Sequence, residues 1–281
     1  MNPIISVIMP CYNQAKYMPE ALQSLLDQDY PHWECIMVND GSPDNTEEVA
    51  KQWIEKDKRF KYFWKENSGV CDTRNYGVDQ AIGEYIVPLD GDDKLGPHYF
   101  SKAIKAFTKD PEIKLIYSDT ILFGDVNEKR INPDFVFEKM LTENQIYNSA
   151  IFRKSDFLEA GGYNPNMFDG IEDWDFYLSL IKPNDRVIKL NDFHYYYRIK
   201  EVSRSMRIFR ETEKNDAMLL QMFKNHIPLF LEYLNPVRDR IKAETYNKEL
   251  YWHYHTPEYK LGRMIYKPFR FVQKVLRKLF S

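Results

Sequence analysis

Over the first 118 positions the apolar residues follow two alternating rhythms. Residues 4–9 form an apolar run, and residues 16–28 then place Met18, Ala21, Leu22, Leu25 and Leu26 at helical spacing. Residues 34–38 read as a second strand ending at Asn39-Asp40-Gly41-Ser42, and residues 46–56 carry Val49, Ala50, Trp53 and Ile54 on one helical face. The spacing goes on to predict a short strand over 61–64, a helix over 70–81 with Gly83 just beyond it, and a strand over 85–89. A helix over 98–108, opened by Pro97, and a strand over 115–118 complete this part. Such alternation predicts a mainly parallel, Rossmann-like α/β sheet sandwiched by helices. Ligands of such sheets bind beyond the carboxyl ends of the strands. Cys11-Tyr12-Asn13, Asp40 and Asp90-Gly91-Asp92 all fall there.

From about Asp119 the rhythm breaks. Residues 145–153 read as a strand, and 155–160 as a short helix closed by Gly161-Gly162. Glu172-Asp173-Trp174-Asp175 precedes Phe176, Leu178 and Leu180, which have helical spacing, and residues 187–198 read as a strand containing Tyr195-Tyr196-Tyr197. After about Arg207 the pattern is helical, and no internal repeat is visible. The expected organisation is a catalytic domain over 1–206, split near 118 into two halves, and a helical extension over 207–281.

A chain of 281 residues with 43% hydrophobic and 15% aromatic residues can bury a sizeable core. Its formal charge of -3 gives no reason to expect nucleic-acid binding. Cys11, Cys35 and Cys71 lack zinc or CxxC spacing and read as small buried residues in a reducing cytoplasm. The first residues have no basic stretch ahead of an apolar core, as a secretory signal would. No apolar run approaches the roughly 20 residues of a membrane-spanning helix. The expectation is a cytoplasmic protein, soluble or held on the inner face of the cell membrane.

The acids of Asp90-Gly91-Asp92-Asp93 repel one another, and make chemical sense where a divalent cation or hydroxyl groups engage them. Taken with Ser6-Val7-Ile8-Met9-Pro10-Cys11-Tyr12-Asn13, Val38-Asn39-Asp40-Gly41-Ser42, Gly69-Val70, Thr73-Arg74-Asn75-Tyr76-Gly77, Gly161-Gly162-Tyr163 and Glu172-Asp173, they form an ordered set. In that order they resemble the family 2 glycosyltransferases of GT-A fold, over roughly residues 4–205. The resemblance implies transfer of a sugar from a nucleotide-sugar, most often a UDP-sugar, to an acceptor hydroxyl with inversion. It places Tyr12 against the base, with Pro10 and Asn13 shaping the turn beneath, and Asp40 on the base or ribose. Arg74 faces the donor, pairing with phosphate or with the rim carboxylates. Asp90 is set towards the ribose or the metal and Asp92 on Mg²⁺ or Mn²⁺, with Gly91 between them and Asp93 bracing the loop or touching the sugar. Asp173 becomes the base, Glu172 and Trp174 meet the acceptor, and Arg198 or Arg204 holds the diphosphate.

Three departures from the family pattern are visible: Asn39 stands where a second acid is common, Cys71-Asp72 where small residues are common, and no histidine follows shortly after Arg198. No Gln-x-x-Arg-Trp sequence of processive synthases occurs, which favours single additions in surface-polysaccharide assembly. Beyond Glu258 the chain has no acid but carries Lys260, Arg263, Lys267, Arg270, Lys274, Arg277 and Lys278. Phe269, Val272, Val275, Leu276, Leu279 and Phe280 would share the opposite helical face. That pattern over 260–281 fits an anionic membrane surface, where a lipid-linked acceptor is presented, or a helix docked on protein. The competing functional readings are an inactive sugar-binding scaffold and a sugar-nucleotide nucleotidyltransferase. The second would want a basic, glycine-rich loop where Cys11-Tyr12-Asn13-Gln14-Ala15 stands.

Overall fold

The computed structural model describes residues 4–200, 212–234 and 236–256. Its first half follows the predicted alternation: β1 (Ile5–Cys11), α1 (Met18–Leu26), β2 (Trp33–Asp40), α2 (Thr46–Lys56), β3 (Phe60–Lys65), α3 (Val70–Gln80) and β4 (Tyr85–Pro88). β1 and β2 are buried nearly throughout, as strands covered on both faces must be. The order β3-β2-β1-β4 is parallel at every step. Helix α3 lies so close to this sheet that a Cβ on Gly77 would sit 2.6 Å from the Ile8 Cγ2. Glycine is what lets the helix bring Arg74 down to the strand ends.

The second half contributes β5 (Lys94–Leu95), α4 (Tyr99–Lys109), β6 (Ile113–Gly124), β7 (Glu128–Arg130), α5 (Phe137–Met140), β8 (Ile151–Arg153), α6 (Lys154–Ala160), α7 (Glu172–Leu180) and β9 (Arg186–Ile199). The sheet continues β4-β8-β6-β9-β5, with β7 paired to β6, giving nine strands among the described residues. β8 is antiparallel to both β4 and β6, β9 is parallel to β6, and β5 is antiparallel to β9. Parallel pairing thus dominates only the first half, and the sheet as a whole is mixed. Two reversals across β8 restore direction, so β9 ends at the same edge as β1, β2 and β4.

Two elements differ from the sequence expectation. β6 runs well past residue 118, through register shifts at Ser118, Asp119 and Thr120. These residues are polar yet buried. Asp119 accepts the Asn132 N–H at 2.9 Å, and the Asn132 amide donates to the Ser118 carbonyl and the Thr120 hydroxyl. An internal polar network has replaced the apolar pattern by which strands are recognised. Residues 145–150 are not strand, and only 151–153 pair. Here side chains satisfy the backbone: Gln145 bonds both the N–H and the C=O of Val136, and Tyr177 donates to the carbonyls of Tyr147 and Asn148.

α8 (Thr212–Asn225), α9 (Ile227–Tyr233) and α10 (Pro236–His255) follow. The chain divides into two compact units, Met1–Ile227 and Pro228–Ser281, so α8 belongs with the sheet. Buried Asp175 of α7 accepts the Asn225 amide at 2.7 Å and pairs with His226 at 3.0 Å. The expected boundary at 206, Arg204, and the basic stretch 260–281 lie outside the described residues. No helix among the described residues is long and apolar enough to cross a membrane. All three cysteines are buried, as expected.

Candidate active site

The strand ends gather the residues that the sequence singled out. Beyond β1, Tyr12 is 47% exposed, so its ring face is open to a ligand. Pro10 lies past the last β1–β4 pair, Ile8↔Pro88, where its missing N–H removes no ladder bond. Asn13 is held at φ 57 and donates its backbone N–H to the Ser42 hydroxyl at 2.8 Å. Ser42 in turn donates to Asp44, which accepts the Ala15 N–H at 3.0 Å. Asp44 thereby ties the loops beyond β1 and β2 together, a role that sequence reading missed. Its signal was present, since an acid two residues ahead of Thr46 is a helix-start pattern. At the end of β2, Asp40 accepts the N–H groups of Ser68 and Gly69 at 2.9 and 3.0 Å and pairs with Lys65 at 2.5 Å. An ionised carboxylate has about four acceptor positions. Asp40 therefore organises the entry to α3.

The loop after β4 carries Asp90, Gly91, Asp92 and Asp93. A Cβ on Gly91 would meet the Gln14 side chain at 3.1 Å, which is why the loop can lie against the residues beyond β1. Arg74, 2% exposed, donates to Asp90 at 2.8 Å and to Glu172 at 2.9 Å. Burial opposes its charge, but Asp90 and Glu172 overcome that and hold the guanidinium protonated. One buried side chain therefore fastens the acidic loop to the start of α7. Asp92 contacts the Lys200 ammonium, and burial together with Asp90 still raises its pKa. Asp93 is buried, accepting the Tyr195 hydroxyl and, at 2.8 Å, the Arg198 N–H. Burial, then Asp92 and Asp90, push its carboxyl far upward. The Arg198 side chain donates to the Asp92 carbonyl at 2.8 Å and pairs with Glu20 at 3.0 Å, so it props the loop from behind.

Glu172 and Asp173 open α7 from Ile171, held at φ 50. Ile171 and Asn13 are the non-glycine residues of positive φ among those described, and both border this rim. Backbone strain of this kind collects at functional sites. Burial, followed by the Glu172 charge beside it, pushes Asp173 up to about 7, with Arg74 working in the opposite direction. Trp174 is 8% exposed and its indole N–H donates to the Met140 carbonyl at 2.6 Å. It anchors α7, and the indole N–H is spent on that contact. Asn75 clamps the loop ahead of α7 by bonding both the C=O and the N–H of Tyr163 at 2.8 Å. A Cβ on Gly162 would meet that Asn75 oxygen at 2.8 Å, and its φ is +75. This is the physical link between the Arg74-Asn75 and Gly161-Gly162-Tyr163 stretches.

No group of three or more His, Cys, Asp or Glu forms a ready metal cage among the described residues. The donor set nonetheless fits a hard divalent cation. Asp90 and Asp92 offer oxygen ligands, and burial, followed by the Asp90 charge, raises the Asp92 pKa despite Lys200. Mg²⁺ is commonly held by one or two carboxylates with substrate phosphates completing its shell. Lys200 and Lys65 were not foreseen, because each meets its acid only through the fold.

The family model described as Glycosyl transferase family 2 matches residues 6–167. The minor teichoic acid biosynthesis protein GgaB of Bacillus subtilis (strain 168) is 30% identical over 256 residues, covering 83% of this chain and 28% of GgaB. This chain thus spans under a third of that curated relative. A mannosyltransferase of Pyrobaculum calidifontis, PcManGT, solved with GDP-Man and Mn²⁺, superposes with a TM-score of 0.63 at 21% identity, over 84% of this chain and 69% of that one. S. aureus TarS 1-349, solved with UDP-GlcNAc, gives 0.58 at 22% identity, over 81% and 73% respectively. At these identities the two structures establish a shared GT-A fold.

Proposed function

The chain belongs to glycosyl transferase family 2, and from that premise we propose that it transfers a sugar from a nucleotide-sugar to an acceptor hydroxyl. The observation that carries this reading is the Arg74 bridge, which sets the Asp90-Asp92 loop and the Glu172-Asp173 pair on one rim. Tyr12 and Asp40 receive the base and ribose, Asp90 and Asp92 face the diphosphate, and Glu172 lies beside the acceptor. Asp173 takes the proton of the attacking hydroxyl. Its carboxyl, pushed up to about 7, is matched to base catalysis near neutral pH. The displacement is single and inverts the anomeric carbon, with one sugar added per encounter. A bound divalent metal, Mg²⁺ or Mn²⁺, would be held by Asp90 and Asp92 and would offset the charge of the departing diphosphate. PcManGT was solved with Mn²⁺, which supports a metal at such a site.

A UDP-sugar donor is favoured because TarS 1-349 was solved with UDP and with UDP-GlcNAc. An acceptor in surface-polysaccharide assembly is favoured because GgaB, and TuaG of the same bacterium, are named for teichoic and teichuronic acid biosynthesis. We place the catalytic domain over residues 1–206 and the helical extension beyond it. The test is calorimetry with UDP, GDP, CDP and dTDP, each with and without Mn²⁺. We expect one nucleotide to bind in a metal-dependent way and Asp92→Ala to lose it. No binding of any nucleotide would remove the donor-site assignment.

The reading extends to location, with a lipid-linked acceptor met at the inner face of the cell membrane. The seven cations of residues 260–281, with no acid among them, supply the attraction. Deleting residues 267–281 is expected to abolish co-sedimentation with phosphatidylserine-containing vesicles while neutral vesicles stay unbound throughout. Equal sedimentation of the full and shortened chains would overturn the membrane assignment.

A further inference from the structure

The acid expected on the metal, Asp92, already has a cation. The Lys200 ammonium, from the residue just past β9, contacts its carboxylate across 108 positions of sequence. Topology makes the meeting possible: β5 follows the acidic loop directly and pairs with β9, Lys94 opposite Tyr196 and Leu95 opposite Tyr195. The end of β9 therefore returns alongside Asp92. The same ammonium lies 4.6 Å from the centre of the Tyr17 ring, and Arg198 lies 4.8 Å from it, so one aromatic face steadies both cations.

The rim cations differ in what they are free to do. Arg74 is buried and divided between Asp90 and Glu172. Lys65 is spent on Asp40, and Arg198 on the Asp92 carbonyl and Glu20. Lys200 is 22% exposed, sits on a flexible four-carbon stem and, among the described residues, has a single carboxylate partner in Asp92. Among the described rim cations it is the one that can change partners without leaving a buried acid stranded, provided another cation takes its place.

We propose that Lys200 is a tethered counter-ion that occupies Asp92 while the donor site is empty and passes to the diphosphate when metal and nucleotide bind. The inference rests on the donor-site reading above. A metal arriving alone must displace the ammonium from Asp92 and leave it without a partner. A metal arriving with a diphosphate offers the ammonium a new anion. Metal and nucleotide therefore reinforce each other's binding, and the coupling is reciprocal. The empty enzyme is spared an uncompensated Asp92 beside Asp90 and is kept from holding metal idly.

The test uses the full chain and Lys200→Met, with Lys200→Arg as a charge-retaining control and circular dichroism to verify folding. Free Mn²⁺ is followed by electron paramagnetic resonance, first alone and then with saturating UDP. In the wild type, UDP should tighten Mn²⁺ binding by about tenfold or more, within the usual range of coupling between sites. Lys200→Met should bind Mn²⁺ alone several-fold more tightly than wild type and lose most of the UDP effect, while Lys200→Arg stays close to wild type. Equal affinity for Mn²⁺ alone in wild type and Lys200→Met overturns the proposal, as does an undiminished UDP effect in Lys200→Met. Failure of the donor-site reading is separate. There UDP, GDP, CDP and dTDP all leave wild-type Mn²⁺ binding unchanged, and tighter binding of Mn²⁺ alone by Lys200→Met would still establish Lys200 as the counter-ion of Asp92.

Discussion

Replacing Asp173 by Asn is expected to lower turnover by about 10²–10⁴-fold, the usual contribution of a positioned base, while leaving nucleotide binding intact. The variant keeps the shape and the acceptor of the Trp174 N–H but cannot take a proton. The measurement is nucleoside diphosphate release from the donor that the binding panel identifies. Unchanged release would remove Asp173 as the base, and release absent already in the wild type would favour a sugar-binding scaffold. The pH profile gives a second readout. With its carboxyl at about 7, Asp173 is ionised above that pH and protonated below it. The wild-type kcat/KM should therefore fall about tenfold per unit as pH drops below 7, and this limb should vanish in Asp173→Asn. Stability runs the other way. The folded carboxyl holds its proton more tightly than an unfolded one at 3.8, so its contribution is full below about 4 and is lost as pH rises through about 7. Relative to wild type, Asp173→Asn should become more stable across that window.

Arg74→Met should have the largest effect on stability, a loss of about 3–5 kcal/mol, as when one partner of a buried ion pair is removed. The guanidinium stands between Asp90 and Glu172 and lies 5.2 Å from the Tyr163 ring, with its residue 2% exposed. Its removal leaves carboxylates facing one another with no cation between them. Arg74→Lys should recover only part of the loss, because a single ammonium cannot present the two arms that reach Asp90 and Glu172. Urea unfolding gives the difference directly, and a change below about 0.5 kcal/mol, the level of an ordinary surface substitution, would contradict this account. Arg74 also lowers the Asp173 pKa. In the folded Arg74→Lys variant, whose charge is less well placed, the acid limb of the pH profile should move to higher pH.

The first half of the fold was legible because its strands and helices are short, apolar on the faces they bury and punctuated by glycine and proline. α2 falls over residues 46–56 and α3 over Val70–Gln80, essentially where the periodicity put them. Asp40, Asp90 and Asp92 were legible for the same reason, since they stand at or just beyond the ends of strands whose direction the alternation determines. Legibility failed where polar residues are buried and satisfied internally. Ser118, Asp119 and Thr120 hide the middle of β6, and side-chain hydrogen bonds hold residues 145–150 where a strand pattern was read. The burial of Trp174 was not legible either, because exposure cannot be told from residue type: its N–H is on the Met140 carbonyl.

Taken by itself, the sequence determined the family, the alternating architecture and the identity of the acids on the rim. These depend on periodicity and on short stretches whose parts lie within a few residues of one another. The tertiary structure decided how those acids are paired. Asp90 meets Arg74, which also holds Glu172, Asp40 meets Lys65, and Asp92 meets Lys200. Charge pairing depends on distance in space and on burial, and the partners here come from different strands and helices that only the mixed sheet brings to one edge. Burial and the neighbouring Glu172 charge likewise push the Asp173 carboxyl up to about 7.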